Sequence, residues 1–156
     1  MVKINCDGAR FIKENRAGIG VVIRDSEGMV LGSLSKQIPQ AYNPLEIEAM
    51  AVTIAIQFAS ELGFQHAILG ADLFVLVKAL VDDTQLLFVV GLVLDEIRYK
   101  ANFFNELHYS HVKREGNNVT HKLARQAICV LDFTVWMEDV PPLLSYVVLV
   151  DIAGST

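Results

Sequence analysis

Along residues 2–7 apolar and polar positions alternate, with Val2, Ile4 and Cys6 on one face and Lys3, Asn5 and Asp7 on the other, as a half-buried strand requires. Asp7-Gly8 is then expected to end it. The β-branched run Gly18 to Ile23, the turn Asp25 to Gly28 and the apolar run Met29 to Leu34 predict two more strands, completing an antiparallel meander. From Glu46 to Leu62 the period changes: Ile47, Met50, Ala51, Ile54, Phe58 and Leu62 recur at helical spacing, and Gly63 supplies the stop. Ala67 to Leu69 reads as a short buried strand. Asp72 opens a second helix that runs through Leu80 to the Asp82-Asp83 pair, and a third helix spans Leu86 to Ala101. Leu107 to Val112 alternates as a last strand, and Gly116-Asn117-Asn118 leads into a helix carrying Val119, Leu123, Ala127 and Leu131. The predicted order is βββαβααβα, an α/β chain with a crossover between parallel strands.

The spacing assigns residues 1–134 to one domain and residues 135–156 to a C-terminal tail docked on it. In the tail, Pro141-Pro142 precedes an apolar run, Leu143 to Val150, that offers a contact to a second copy or to a parent polyprotein. The 156 residues are 53% hydrophobic, ample for one buried core. No apolar run reaches the ~20 residues of a membrane span, and the first residues form no signal-peptide core. The expectation is an intracellular chain, cytoplasmic or nuclear, with no membrane partner. Cys6 and Cys129 have neither disulfide-framework nor metal-ligand spacing and are expected as reduced core residues. A net charge of −5 excludes nucleic-acid binding by bulk electrostatics. Local patches remain: Lys3, Arg10, Lys13, Arg16 and Arg24 early, and Arg98, Lys100, Lys113, Arg114, Lys122 and Arg125 later.

Three carboxylates stand at similar structural points: Asp7 at the end of the first strand, Glu46 in the first turn of the first helix, and Asp72 where the fourth strand meets its helix. Clustered, they are the hard oxygen ligands that phosphodiester hydrolysis by divalent ions needs. Each also has a structural explanation. Asn43-Pro44-Leu45-Glu46 places Asn at N-cap, Pro at N1 and Glu at N3, so Glu46 can complete a capping box. Asp72 can be an N-cap, Asp7 a turn carboxylate, and His121, on the side of its helix away from Val119 and Leu123, a solvated histidine.

The runs Ile4 to Ala9, Ala17 to Asp25 and Leu45 to Ala49 resemble the ribonuclease H family, in its plant retroelement-derived form. Ile68 to Asp72, Ser110 to Ala124 and Trp136 to Pro142 resemble later parts of that family in the same order, so the similarity covers nearly the whole chain. It implies a five-stranded mixed sheet in order 3-2-1-4-5 flanked by helices, and hydrolysis of the RNA strand of RNA/DNA hybrids. Asp7, Glu46 and Asp72 would be metal ligands, with His121 where the family usually has a fourth carboxylate; Glu48 is set aside only by this alignment. Gly8 and Ala9, through their backbone, and Asn43 match positions that contact the hybrid's sugars. Lys113, Arg114 and the basic residues of the Gly8 to Ala17 loop would position phosphates.

Two departures matter. His121 is a softer ligand than aspartate, which favours Mn²⁺ over Mg²⁺, and Leu73 replaces the small polar residue usual after Asp72. They keep two other readings in play: a nucleic-acid-binding or scaffold domain that has lost turnover, and a protein-interaction module built on the apolar tail.

Overall fold

The computed structural model describes residues 1–71, 84–111, 117–141 and 144. Strands β1 (Val2–Phe11), β2 (Arg16–Arg24) and β3 (Val30–Ile38) form the meander, followed by helix α1 (Pro44–Glu61) and strand β4 (His66–Ala71). Helix α2 (Thr84–Ala101), strand β5 (Glu106–His111), helix α3 (Asn118–Gln126), a 3₁₀ turn (Ala127–Cys129) and strand β6 (Phe133–Met137) complete the described part. The helix expected from Asp72 to Leu80 lies outside the described residues. The sheet runs β5-β4-β1-β2-β3-β6, so the expected order 3-2-1-4-5 holds with a sixth strand added beside β3. β1 pairs antiparallel with β2 and parallel with β4, which in turn pairs parallel with β5.

The first strand does not end at Asp7-Gly8. Its register with β2 continues through Gly8↔Ile19 and Ala9↔Gly18 to Phe11↔Arg16, because a partner strand nearly as long satisfies the backbone that a turn would otherwise have to absorb. The expected Gly8 to Ala17 loop is therefore mostly strand, with a short turn between Phe11 and Arg16.

The alternation along β2 sorts the two layers. Ile19, Val21 and Ile23 face the main core with Ile4, Cys6, Ala51, Ala55, Ile56 and Leu69, under α1. Gly18, Gly20 and Val22 face α3, where Val22 packs with Val119, Leu123, Val140 and Leu144. Helix α1 starts where the cap motif predicts. Asn43 accepts from the Glu46 N–H, Pro44 occupies the first turn, and Gly63 at φ +88° ends the helix while Phe64 N–H bonds the Ala59 carbonyl at 3.1 Å. Helix α2 is tied to it by Lys100, whose Nζ donates to Gln57 Oε1 at 2.7 Å. No described helix is long and apolar enough to cross a membrane.

Three further expectations are corrected. Helix α3 tightens into the 3₁₀ turn and stops before Leu131, which is fully exposed. Cys129 is exposed, and only Cys6 is a core thiol. Phe133–Met137, across the expected domain boundary at residue 134, belongs to the sheet, since pairing with β3 gives this β-prone run a ladder that a tail would lack.

Candidate active site

Among the described residues β1 pairs with β4 as far as Asn5↔Gly70, and its pairing with β2 continues to Phe11. Asp7 stands two residues past the last of those parallel pairs, toward the carboxyl ends of β1 and β4. The carboxyl ends of parallel strands are where open α/β sheets place ligands.

His121 reaches Asp7 from α3: its Nδ1 lies 3.2 Å from Asp7 Oδ2, with the imidazole 45% and the carboxylate side chain 20% exposed. The other carboxylate oxygen accepts the Gly8 N–H at 2.9 Å. Several contacts place His121 there. Asn117 Nδ2 donates to the Cys6 carbonyl at 2.9 Å, fixing the start of α3 beside the residue that precedes Asp7. Thr120 Oγ1 donates to the Asn117 carbonyl at 2.9 Å, and Ser35 Oγ to the Leu123 carbonyl at 2.5 Å. Across the ladder from Asp7 sits Gly20, and a Cβ there would overlap the Thr120 carbonyl oxygen. A bare backbone at Gly20 is what lets α3 approach β2 closely enough for His121 to meet Asp7. Asn5 Oδ1, buried two residues before Asp7, has no hydrogen-bond partner among the described residues.

The two glutamates of α1 differ. Asn43 Oδ1 accepts the Glu46 N–H at 2.9 Å and Asn43 Nδ2 donates to Glu46 Oε1 at 2.5 Å, so Glu46 and Asn43 close the helix cap on each other. No hydrogen bond or ion pair among the described residues joins Glu46 to Asp7 or His121. Glu48 instead faces β1. Its Oε1 lies 3.5 Å from where a Gly8 Cβ would stand, and the Ile47 side chain would overlap that Cβ. Gly8 thus allows α1 to lie against β1, with Glu48 beside the residue after Asp7. The Cys6 thiol responds to both acids: burial first, then the negative charges of Glu48 and Asp7, push it well above its ordinary value. Cys6 is held as a thiol and is no nucleophile. Sequence spacing alone did not single out Glu48. The usable signal was the cap itself, which engages Glu46 and leaves Glu48 to face β1.

Among the other expected site residues, Ala9 is buried against Phe11 and Ala124, and Asn43 is held in the cap. Asp72, Lys113 and Arg114 lie outside the described residues; Asp72 directly follows Ala71, the last residue of β4. The early basic set is partly committed. Arg24 is buried, and Arg16 donates to the Pro39 carbonyl at 3.1 Å. Arg10, Lys13 and Lys122 are exposed, and Arg125 lies 5.9 Å from the centroid of the Phe11 ring. Among the described residues no three of His, Cys, Asp and Glu are grouped closely enough to hold a metal ion. What they do bring to one stretch of β1 is a carboxylate–imidazole pair and a second carboxylate, a donor chemistry that suits a divalent cation.

No curated protein matches the sequence. The fold is similar to that of RNase H1 from the halophilic archaeon Halobacterium salinarum, with a TM-score of 0.70 and 23% identity over 82% of this chain and 97% of that one. It is also similar to the N-terminal RNase H domain of Rv2228c from Mycobacterium tuberculosis, with a TM-score of 0.65 and 23% identity over 82% and 93%. LC11-RNase H1, whose structure is a complex with an RNA/DNA hybrid, gives a TM-score of 0.65 and 21% identity over 83% and 97%. The reverse transcriptase-like family model matches residues 5–127, from β1 into the 3₁₀ turn after α3. That stretch carries Asp7, Glu48 and His121 and the elements that hold them, and the chain belongs to the reverse transcriptase-like family, with the ribonuclease H fold.

Proposed function

We propose that this chain is a metal-dependent endonuclease that hydrolyses the RNA strand of RNA/DNA hybrids. The observation that carries the reading is the contact of His121 with Asp7 toward the carboxyl ends of β1 and β4, with Glu48 against Gly8. The hybrid bound to LC11-RNase H1 supports the substrate class. In this reading Asp7, Glu48 and His121, joined by Asp72 after β4, hold Mg²⁺ or Mn²⁺, and Glu46 serves the cap. A bound divalent ion supplies a nucleophilic hydroxide at neutral pH and neutralises charge on the leaving oxygen. The chain's own part is to orient. Gly8 fixes one oxygen of Asp7, and α3, pinned through Asn117, fixes the imidazole against the other. In the same reading, as the family resemblance implies, the backbone at Gly8 and Ala9, and Asn43, would contact sugars, and Lys113 and Arg114 would contact phosphates.

A hybrid-cleavage assay in each metal tests the reading. Wild-type protein should cut the RNA strand and Asp7→Asn should not. Binding of hybrid without cleavage in either metal would leave the scaffold reading instead. The imidazole makes a further distinction. Mn²⁺ should support faster cleavage than Mg²⁺, His121→Asp should shift the preference toward Mg²⁺, and His121→Ala should lose most activity in both. Identical rates for the three proteins would remove His121 from the site.

Substrate choice is tested by binding. Recognition through 2′-hydroxyls should favour hybrid over double-stranded DNA at the same salt, and affinity should fall as salt rises because phosphate contacts release counterions. Equal binding to the two duplexes would contradict sugar recognition.

A further inference from the structure

β6 is the outer strand beside β3, and its other edge has no partner among the described residues. The direction of its backbone follows from the bonds at its two ends. Gln37 N–H bonds the Asp132 carbonyl at 2.7 Å, and Glu138 N–H bonds the Leu31 carbonyl at 2.8 Å. Antiparallel ladders alternate bonded and non-bonded pairs, so between these ends Thr134 and Trp136 are the residues bonded to β3. The N–H and C=O groups of Phe133, Val135 and Met137 therefore point outward. Edge strands are usually blunted by a lysine, a proline or a bulge. Phe133-Thr134-Val135-Trp136-Met137 contains no charge and no proline, and Phe133 and Met137 are more than half exposed.

On the α1 side, Phe133 and Val135 form one wall of a groove of about 420 Å³, closed by Leu34 of β3, by Ile54 and Phe58 of α1 and by Leu62 just after it. Its surroundings are acidic. Asp132 and Glu138 flank the strand, Asp139 follows, and Glu61 lines the groove. Lys36, also in the groove, is engaged: its Nζ lies 3.9 Å from Asp132 Oδ1 and 5.6 Å from the centroid of the Phe133 ring. These charges discriminate between occupants. A second copy pairing its own β6 antiparallel about Val135 would set Asp132 against Glu138 at both ends, like charge on like, which opposes self-pairing.

We propose that the edge of β6 that has no partner among the described residues, with this groove, docks an extended apolar segment of another protein flanked by Lys or Arg, added as a seventh strand. The outward backbone groups give such a segment its affinity, alternate side chains reach the groove, and its basic ends meet Asp132 and Glu138. The site lies on a different part of the sheet from Asp7 and His121, and its test is independent of cleavage.

Trp136 is the chain's single tryptophan and reports binding by fluorescence. The probe is a peptide of alternating Val and Thr with two Lys at each end, compared with the same peptide ended by Glu. The Lys-flanked peptide should bind saturably, and the Glu-flanked one about tenfold or more weaker. Val135→Pro removes an outward N–H but no bond to β3, and should weaken binding about tenfold. Met137→Lys, at an exposed position, guards against a folding defect in the proline variant and should weaken the Lys-flanked peptide likewise. Equal affinity for the two peptides, no saturable binding, or unchanged binding by both variants would overturn the proposal. So would dimerisation of the wild type in sedimentation at the assay concentration, which would give the edge to a second copy.

Discussion

Replacing Glu48 with Gln should reduce hybrid cleavage by ~100-fold or more, since even the outer partners of metal ligands typically contribute 10–100-fold. Glu46→Ala should leave cleavage close to wild type and lower stability instead. The contrast follows from where the two side chains go. Glu46 Oε1 is taken by Asn43 at the start of α1, whereas Glu48 Oε1 lies against β1 at Gly8, beside Asp7. Loss of Glu46 removes a favourable acid from a helix N-terminus and half of a cap, an effect of about 0.5–1 kcal/mol. For a chain of this size that is a fall in Tm of a few degrees. Cleavage rates and thermal melts of the two variants decide the assignment. An inactive Glu46→Ala beside an active Glu48→Gln would return the site to the acid at the cap.

Gly20→Ala should lower stability by about 1–3 kcal/mol, the range for forcing an extra carbon into a packed interior, and should lower cleavage as well. A Cβ at Gly20 would lie 2.6 Å from both the Ala124 nitrogen and the Leu123 Cβ and would overlap the Thr120 carbonyl. Two of these are backbone atoms of α3, which cannot rotate aside as a side-chain tip can. The helix must lift, and His121 lifts with it away from Asp7, the ladder partner of Gly20. Gly91→Ala is the matched control. A Cβ there meets nothing within 4 Å among the described residues, and in the interior of α2 alanine should stabilise by about 0.5–1 kcal/mol. Thermal melts of both variants, with cleavage measured well below the lower Tm, test the coupling. A Gly20→Ala protein as stable and active as wild type would mean that α3 does not depend on this close contact.

Much of the fold was legible because the signals are local. The alternation in Val2 to Asp7, the β-branched run to Ile23 and the helical period ending at Gly63 each arise from neighbours in sequence, and each became the element expected. The cap at Asn43-Pro44-Leu45-Glu46 was likewise readable, and the structure closes it at 2.5 and 2.9 Å. Errors came where a distant partner overrides local preference. Asp7-Gly8 has the composition of a turn, yet β2 supplies a ladder that carries β1 on to Phe11. Phe133–Met137 looked like the junction with a tail, yet the open edge of β3 takes it as β6.

The candidate site divides along the same line. Sequence by itself determined the acids and the imidazole available, the order of the elements that carry them, and the cap that occupies Glu46. Only the tertiary structure decided that His121 touches Asp7, that Glu48 stands across Gly8 from it, and that Gly20 is bare so that α3 can come close. Which side chains meet depends on ladder register and on the distance between helix and sheet. Both are set by pairs such as Asp7↔Gly20 and Asn117 with the Cys6 carbonyl, which join residues far apart in the chain and leave no periodic trace in it.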